Sequence, residues 1–141
     1  MNIGVAIEES QISHKTLTCM CSNLSRSAID MALTIACYID GHTCAITLDK
    51  LDELKQKFHL TDSQVSRRLS LLKKAQVISK QKNWSGYKGF VYVANPYIYM
   101  HSKPLYEDAA VLFKDTIWEP YWYQDNLLFE ESSNDSETII P

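Results

Sequence analysis

Glycine is scarce in this sequence, with four residues among 141, and none of them belongs to a glycine-rich phosphate loop. A nucleophile elbow and a zinc-ligand spacing are also missing. The four histidines, at positions 14, 42, 59 and 101, are scattered along the chain. These absences argue against an enzyme, and we expect no catalytic residue, no cofactor and no metal site.

Cysteine is also sparse, with four residues at positions 19, 21, 37 and 44. Their spacing fits neither paired CxxC motifs nor a zinc pattern that includes histidine. We therefore expect reduced, partly buried thiols. One metal hypothesis stays open, a sensor formed by Cys37, His42 and Cys44.

Long hydrophobic runs are absent, although 45% of the residues are hydrophobic. No apolar stretch is long enough to span a bilayer. The first ten residues contain Glu8 and Glu9 instead of the basic start of a signal peptide. We expect a cytoplasmic protein without a membrane partner, built as one compact domain with an appendage.

Positive charge is lacking overall, since the formal net charge is −3, but it is concentrated in the middle of the chain. Residues 49–88 contain ten Lys and Arg against four Asp and Glu, which gives a net charge of +6. Residues 104–141 contain one Lys against nine Asp and Glu, which gives −8. The basic middle segment is compatible with a nucleic-acid partner, although the whole chain is acidic.

Helical hydrophobic spacing begins at about residue 25. Ser25 is the predicted N-cap of a helix that ends near Ile39, with Gly41 as its C-terminal stop. A strand at 43–47 follows. The next helix begins after Thr47, and its predicted buried side consists of Leu48, Leu51, Leu54 and Phe58.

A third helix is predicted at 62–74, where Thr61 and Gln64 match a capping box. Two helices joined by so short a turn form a helix-turn-helix pattern, whose second helix can enter the major groove of DNA. Strands at 77–82 and 90–95 enclose a turn-prone loop and predict a β-hairpin, or wing, that ends at Pro96.

The 62–74 helix has two contrasting faces on a helical wheel. Val65, Leu69 and Leu72 lie within one arc, which we expect to be buried. The opposite arc holds donors and positive charge, with no carboxylate beyond Asp62. The residues of that arc are Ser63, Arg67, Ser70 and Lys74.

Predicted DNA contacts are divided between bases and phosphates, because Arg and Gln can read base edges while Lys and Ser commonly bind the backbone. Base contacts are assigned to Ser63, Gln64 and Arg67, and phosphate contacts to Ser66, Arg68, Lys73 and Lys74. In the wing, basic residues surround two aromatic residues that either touch DNA or pack back onto the body. The complete predicted set is Ser63, Gln64, Ser66, Arg67, Arg68, Ser70, Lys73, Lys74, Lys80, Lys82, Trp84, Tyr87 and Lys88.

Several segments resemble the winged-helix signature of bacterial regulators and replication proteins. They are Leu-Asp-Glu-Leu at 51–54, Leu-Thr-Asp-Ser-Gln-Val-Ser-Arg-Arg-Leu at 60–69 and Leu-Lys-Lys-Ala-Gln-Val-Ile at 72–78. The segment Gly-Phe-Val-Tyr-Val-Ala-Asn-Pro at 89–96 extends the resemblance to RepL-type plasmid and phage replication initiators. The match covers residues 28–100 and departs at Ala75, where such domains often have glycine. It implies origin binding by the 62–74 helix and the wing, followed by recruitment of host replication proteins.

We therefore predict a mainly α protein with a small β-hairpin (α+β), a winged helix-turn-helix with an extra C-terminal helix and an acidic tail. Residues 1–24 are interpreted as an N-terminal arm that is strand-like at 3–7, and residues 25–100 as the DNA-binding domain. Residues 101–129 contain a helix at 105–117, closed by Glu119-Pro120, and an aromatic segment. A disordered acidic tail at 130–141 completes the chain.

The predicted function is sequence-specific binding of double-stranded DNA, as a plasmid or phage replication initiator. A transcriptional regulator, acting as a homodimer on a palindrome, would use the same surface. A protein-interaction winged helix is a third alternative, because the acidic aromatic segment could dock a partner or cover the basic face. Double-stranded DNA is the expected partner, and a second copy of the chain, or a host replication or transcription protein bound through residues 105–129, stays open.

Overall fold

The structure, a computed structural model, describes residues 12, 14–100, 106–120 and 122. Within these residues the protein has six α-helices and one three-stranded antiparallel sheet, which confirms an α+β fold. No helix in this part of the chain is long and apolar enough to cross a membrane. The predicted strand at 3–7, most of the aromatic segment and the acidic tail lie outside the described residues.

A helix lies in the N-terminal arm, where the sequence pattern showed no helical period. Helix α1 spans His14–Asn23 and contacts α2, which spans Arg26–Ile35. The buried side of α1 consists of Thr16, Cys19 and Met20. This stripe is narrow and one of its members is a threonine, so a hydrophobic period is hard to recognise.

The predicted start of α2 is correct, and the helical backbone ends next to the predicted Ile39, although its last turn is a 3₁₀ helix. The Ser25 hydroxyl accepts a hydrogen bond from the Ala28 amide, as expected of an N-cap. The α-helix ends at Ile35 and continues as a 3₁₀ turn over Ala36–Tyr38, with Ile39 as the first extended residue. Glycines with a positive φ occur in the described residues only within the wing loop, so Gly41 is not a left-handed helix stop.

A tight turn at Asp40 follows the helix and leaves the next strand short. The Asp40 carboxylate accepts from the His42 amide at 2.8 Å, and its carbonyl accepts from the Cys44 amide at 2.8 Å. Cys44 has a left-handed φ of 61°, which interrupts extended backbone. Strand β1 therefore covers only Ala45–Ile46, within the predicted strand at 43–47.

Helices α3, Leu48–Lys57, and α4, Asp62–Lys74, match the two helices predicted in the basic segment. The Thr47 hydroxyl accepts from the Lys50 amide and caps α3 as expected. Helix α2 packs across α4, which fixes the second helix of the pair against the core.

The predicted buried side of α3 is correct at its centre and wrong at its ends. Leu51 and Leu54 are buried, whereas Leu48 and Phe58 are 50% and 47% exposed. Leu48 lies about 120° from Leu54 on a helical wheel, which takes it out of the buried stripe. Phe58 has left the helical backbone, with φ −100° and ψ 9°, so its wheel position does not apply.

The predicted hairpin is confirmed. Strands β2, Ile78–Lys82, and β3, Phe90–Ala94, pair antiparallel, with Lys80 opposite Tyr92. Strand β1 pairs with the other edge of β3, which gives the strand order β1-β3-β2. The sheet thus joins the hairpin to the segment between α2 and α3.

The C-terminal helix is shorter than the predicted 105–117. Beyond a short helix α5, Pro96–Tyr99, helix α6 spans Glu107–Leu112. The chain then turns, because Asp115 has a φ of 66° and its amide donates to the Glu119 carboxylate at 2.6 Å. The predicted closure of the helix at Glu119-Pro120 is therefore wrong.

One hydrophobic core receives side chains from almost every part of the described chain. The Trp118 side chain is fully buried, and its indole N–H donates to the Ala75 carbonyl at 2.8 Å. This bond ties the C-terminal segment to the end of α4. Other fully buried members from different elements are Met20, Met31, Leu54, Leu72 and Ile98.

Candidate nucleic-acid interface

The turn between α3 and α4 is closed by backbone hydrogen bonds. The Leu60 amide donates to the Lys55 carbonyl at 2.9 Å, and the His59 amide donates to the Gln56 carbonyl at 3.3 Å. This pair of bonds is a Schellman motif, which requires a left-handed residue, and His59 supplies it with a φ of 54°. His59 therefore has a structural role in the turn, and α4 starts directly after it.

The start of α4 is fixed by the predicted capping box. The Gln64 amide donates to the Thr61 hydroxyl at 3.1 Å, and the Thr61 amide donates to the Gln64 side-chain oxygen at 2.9 Å. The box stabilises α4 but uses the Gln64 side-chain oxygen within the protein. A bidentate contact from Gln64 to adenine needs that oxygen, so it would have to open the cap.

The two faces of α4 are arranged as its sequence predicts. Leu69 and Leu72 are buried and Val65 is partly buried, so this arc packs against the core. All four members of the opposite arc, Ser63, Arg67, Ser70 and Lys74, are exposed. On the flanks, the exposed residues are Gln64, Ser66 and Lys73, while Arg68 is half-buried.

The one carboxylate of α4 is neutralised by the preceding helix. The Lys55 ammonium lies 2.6 Å from the Asp62 carboxylate. This hydrogen bond, together with the charge of Asp62, raises the pKa of Lys55. The exposed face of α4 is consequently left with the positive charges of Arg67, Arg68, Lys73 and Lys74 without a competing acid on the same helix.

The wing presents an exposed aromatic ring with two lysine ammonium groups near it. Cross-strand pairing places Lys82 opposite Phe90, and Lys80 lies two residues away on the same face. The Lys80 and Lys82 ammonium groups lie 4.8 and 5.7 Å from the centroid of the Phe90 ring. Sequence reasoning found both lysines but missed Phe90, because only the strand register brings the ring to them.

The two aromatic residues of the wing loop pack back onto the body. The Trp84 indole N–H donates to the Thr43 carbonyl at 2.8 Å, and the Tyr87 hydroxyl donates to the Asp40 carboxylate at 2.6 Å. Both side chains are half-buried, and Lys88 beside them is exposed. Of the two alternatives for Trp84 and Tyr87, the structure thus shows packing against the body.

The bond between Tyr87 and Asp40 shifts the ionisation of both groups. Donation from the Tyr87 hydroxyl is the main cause of a lowered pKa at Asp40. The same bond raises the pKa of Tyr87. The pair therefore prefers a carboxylate and a neutral phenol, and it fastens the wing loop to the turn between α2 and β1.

The cysteines do not form a metal or disulfide site. All four are free thiols, with Cys19 and Cys44 buried and the other two exposed. Burial raises the pKa of the Cys44 thiol to about 12, so it stays protonated at neutral pH. No group of three or more His, Cys, Asp or Glu among the described residues could hold a metal ion, which contradicts the sensor hypothesis for Cys37, His42 and Cys44.

Comparison of the chain with known protein families, with curated proteins and with solved structures finds no match. The resemblance to RepL-type initiators therefore stays a prediction from the sequence. The same is true of double-stranded DNA as the partner.

Proposed function

We propose that this protein is a winged helix-turn-helix protein that binds double-stranded DNA by sequence. Helix α4 would lie in the major groove, and the β2–β3 hairpin would be the wing. The observation that supports this best is the exposed face of α4, which combines hydroxyl and cationic side chains while its one carboxylate is bound by Lys55. Such a face matches the acceptor-rich edge of guanine and the phosphates on either side.

The order of elements also supports the proposal. In a helix-turn-helix the second helix is held against the core while its outer face stays exposed. Helices α3 and α4 are joined by the tight turn at His59, and Leu69 and Leu72 anchor α4 to the body. The hairpin follows α4 after a short connection and contacts it.

Within α4, we assign base recognition mainly to Arg67 and Ser63. Arg67 is exposed near the middle of the helix, and its guanidinium can donate two parallel hydrogen bonds to guanine. Gln64 is held in the capping box, which makes it the weaker reader. Lys73 and Lys74, at the end of the helix, are suited to phosphates.

The wing supplies further phosphate contacts in this proposal. Lys80, Lys82 and Lys88 are exposed on the hairpin and its loop. A basic hairpin beside a recognition helix can lie along the DNA backbone or in the adjacent minor groove. Trp84 and Tyr87 act by holding the loop in place, because their polar atoms bind within the protein.

The biological role that we propose is initiation of plasmid or phage replication at an origin. It is supported by the resemblance of residues 28–100 to RepL-type initiators. Genomic fragments from the source that bind the purified protein should contain repeated sites in a replication origin. Enrichment of a single promoter palindrome would instead identify a transcriptional regulator, and a pool without enrichment would contradict both roles.

The assignment of α4 can be tested with the selected fragment and a random duplex of equal length. Arg67→Ala should weaken binding to the selected duplex by about 1 to 3 kcal/mol and relax its sequence preference. Lys74→Ala should weaken both duplexes alike and lower the slope of the salt dependence by about 1. Fluorescence anisotropy at several salt concentrations measures both effects.

Arg26→Ala is the matched control, because Arg26 is exposed at the start of α2, outside α4 and the wing. It should leave both affinities unchanged. If Arg67→Ala and Lys74→Ala cause the same loss on the selected and on the random duplex, α4 does not read bases as proposed.

A further inference from the structure

Two of the large hydrophobic side chains that stay exposed line the same cleft. Leu48, at the start of α3, is 50% exposed, and Phe90, at the start of β3, is 47% exposed. The cleft lies between α3 and the wing loop and has a volume of about 340 Å³. Exposed apolar side chains that gather in one concave place often mark a binding site.

Positive charge surrounds the aromatic wall of this cleft. The ammonium groups of Lys80 and Lys82 lie 4.8 and 5.7 Å from the Phe90 centroid. Lys88 lines the cleft directly, and so does one acidic residue, Asp49. Three lysines against one carboxylate favour an anionic ligand, and an exposed ring favours a ligand with a flat apolar face.

Single-stranded nucleic acid has both properties. Proteins bind it with aromatic side chains on which bases stack and with cations that follow the phosphates. A base inside a duplex is already stacked between its neighbours, so it offers no free face to Phe90. The backbone at Gly89, another wall of the cleft, is also open, since no atom lies within 4 Å of the place where a Cβ would stand.

We propose that the cleft between α3 and the wing binds an unpaired base of single-stranded DNA. The base stacks on the Phe90 ring against Leu48, and Lys80, Lys82 and Lys88 contact the adjoining phosphates. This site goes beyond duplex recognition by α4, because it takes a different form of DNA and depends on Phe90. An experiment can therefore refute the single-strand site without refuting duplex binding by α4, or refute duplex binding without refuting the single-strand site.

The test compares binding of a fluorescein-labelled oligothymidine with binding of a labelled duplex, both by anisotropy at one salt concentration. Phe90→Ala should weaken binding of the oligothymidine by about 5-fold to 150-fold, the range found for loss of one stacking aromatic. Binding of the duplex should fall far less, because the wing contacts to the duplex are assigned to the lysine side chains and not to the ring. Phe90→Tyr should keep the wild-type affinity for the oligothymidine, because it retains an aromatic face.

Two further variants test whether the effect of Phe90→Ala comes from the loss of stacking at this site. The alternatives are loss of any apolar side chain at position 90 and loss of any exposed aromatic ring. Phe90→Leu keeps an apolar side chain without a ring and should lose affinity as Phe90→Ala does. Phe58→Ala is the matched control, since Phe58 is also 47% exposed and has the Lys57 ammonium 5.9 Å from its ring centroid. It should bind the oligothymidine like the wild type.

Wild-type protein that does not bind the oligothymidine would overturn this site and leave duplex binding by α4 untouched. Full affinity in Phe90→Leu, or equal losses on both forms of DNA in Phe90→Ala, would also overturn it. Binding of the oligothymidine without binding of any duplex would support the cleft and refute the function proposed for α4. Circular dichroism of each variant verifies that it is folded.

Discussion

Gln76, the second residue after α4, has a left-handed φ of 62°. The Val77 amide donates to the Leu72 carbonyl at 2.9 Å, and the Gln76 amide donates to the Lys73 carbonyl at 3.1 Å. These bonds form a Schellman motif, in which the left-handed position prefers glycine. The winged-helix pattern that the sequence resembles places this glycine at Ala75, but Ala75 has an ordinary φ of −83°, so the left-handed position lies one residue later, at Gln76.

We predict that Gln76→Gly stabilises the protein by about 0.5 to 1 kcal/mol. The substitution removes the strain of a left-handed side-chain-bearing residue, and the greater freedom of glycine in the unfolded chain offsets part of the gain. Urea denaturation measures the free energy of unfolding. Ala75→Gly is the control and should destabilise, and equal effects of the two substitutions would contradict the role given to Gln76.

The bond from Tyr87 to Asp40 predicts a pH-dependent stability. It lowers the pKa of Asp40 in the folded protein, so its contribution is complete above the unfolded carboxyl pKa of about 4. The contribution is lost as the pH falls through the folded pKa. Tyr87→Phe should therefore destabilise by about 1 kcal/mol at neutral pH, because this charge-assisted bond is partly exposed to solvent.

The measurement is urea denaturation of wild type and variant from about pH 7 to about pH 3, where the difference should shrink at the acidic end. Tyr38→Phe, which removes a hydroxyl from another half-buried tyrosine, provides the comparison. A stability difference for Tyr87→Phe that stays constant over this range would show that the carboxylate is not its source.

At the scale of elements, the capped helix starts were predictable, and so were both ends of α4, at Asp62 and Lys74. The N-caps Ser25, Thr47 and Thr61 are local, because a hydroxyl bonds to an amide three residues later. The turn at Asp40, which follows α2, was not predictable, because it is held by the Tyr87 hydroxyl from the distant wing loop. Helix α6 ends at Leu112, before the predicted 117, and the turn beyond it contains the local bond from the Asp115 amide to the Glu119 carboxylate.

The part of the candidate interface that lies on α4 was predictable from the sequence. The exposed arc of α4 follows from helical geometry and the positions of Leu69 and Leu72. The cleft at Phe90 was not predictable, since the register between β2 and β3 across a seven-residue loop is not written in a local pattern. The burial of Trp84 and Tyr87 against the body is likewise a tertiary contact.

Asn95 joins α4, the wing and α5, and it is fully buried. Its side-chain amide donates to the Gln76 carbonyl at 2.9 Å, and its side-chain oxygen accepts from the Tyr97 amide at 2.9 Å. Asn95→Ala removes the donor to the Gln76 carbonyl and the acceptor for the Tyr97 amide at the start of α5. We expect it to lower the free energy of unfolding by about 2 to 4 kcal/mol.

Thermal and urea denaturation test this junction. Asn95→Ser keeps a side-chain oxygen for the cap of α5 but is too short to reach Gln76, so it should lose about half as much as alanine does. A loss below about 0.5 kcal/mol for Asn95→Ala, the usual range of surface substitutions, would contradict the structural role of Asn95.

At the scale of the whole molecule, the arm and the C-terminal segment share the core of the basic part. Met20 from α1 and Phe113 and Trp118 from beyond α6 are buried with the residues of α2 and α4. Sequence alone separated these segments because their charge and hydrophobic spacing differ from those of residues 25–100. Val111, on α6, is 73% exposed, and a protein partner for residues 105–129 stays a prediction.

The basic residues of the chain are also gathered in one part of the fold. The basic residues of 49–88 lie on α3, α4 and the wing, and the neutralised Asp62 leaves the outer face of α4 positive. DNA binding by such a face releases counterions from the phosphates, so it should weaken as salt rises. The overall charge of −3 does not prevent this face from binding DNA. At 0.1 M salt the Debye length is about 10 Å, so carboxylates farther away than this contribute little to the potential at α4.

The most direct test of duplex recognition by α4 is to map backbone amide shifts by NMR while the selected duplex is added to the labelled protein. We expect the largest changes at Ser63, Arg67 and Ser70, with further changes in β2 and the wing loop and little change in α1 and α6. Changes confined to α1 or α6, or a spectrum that the duplex leaves unchanged at low salt, would contradict the account.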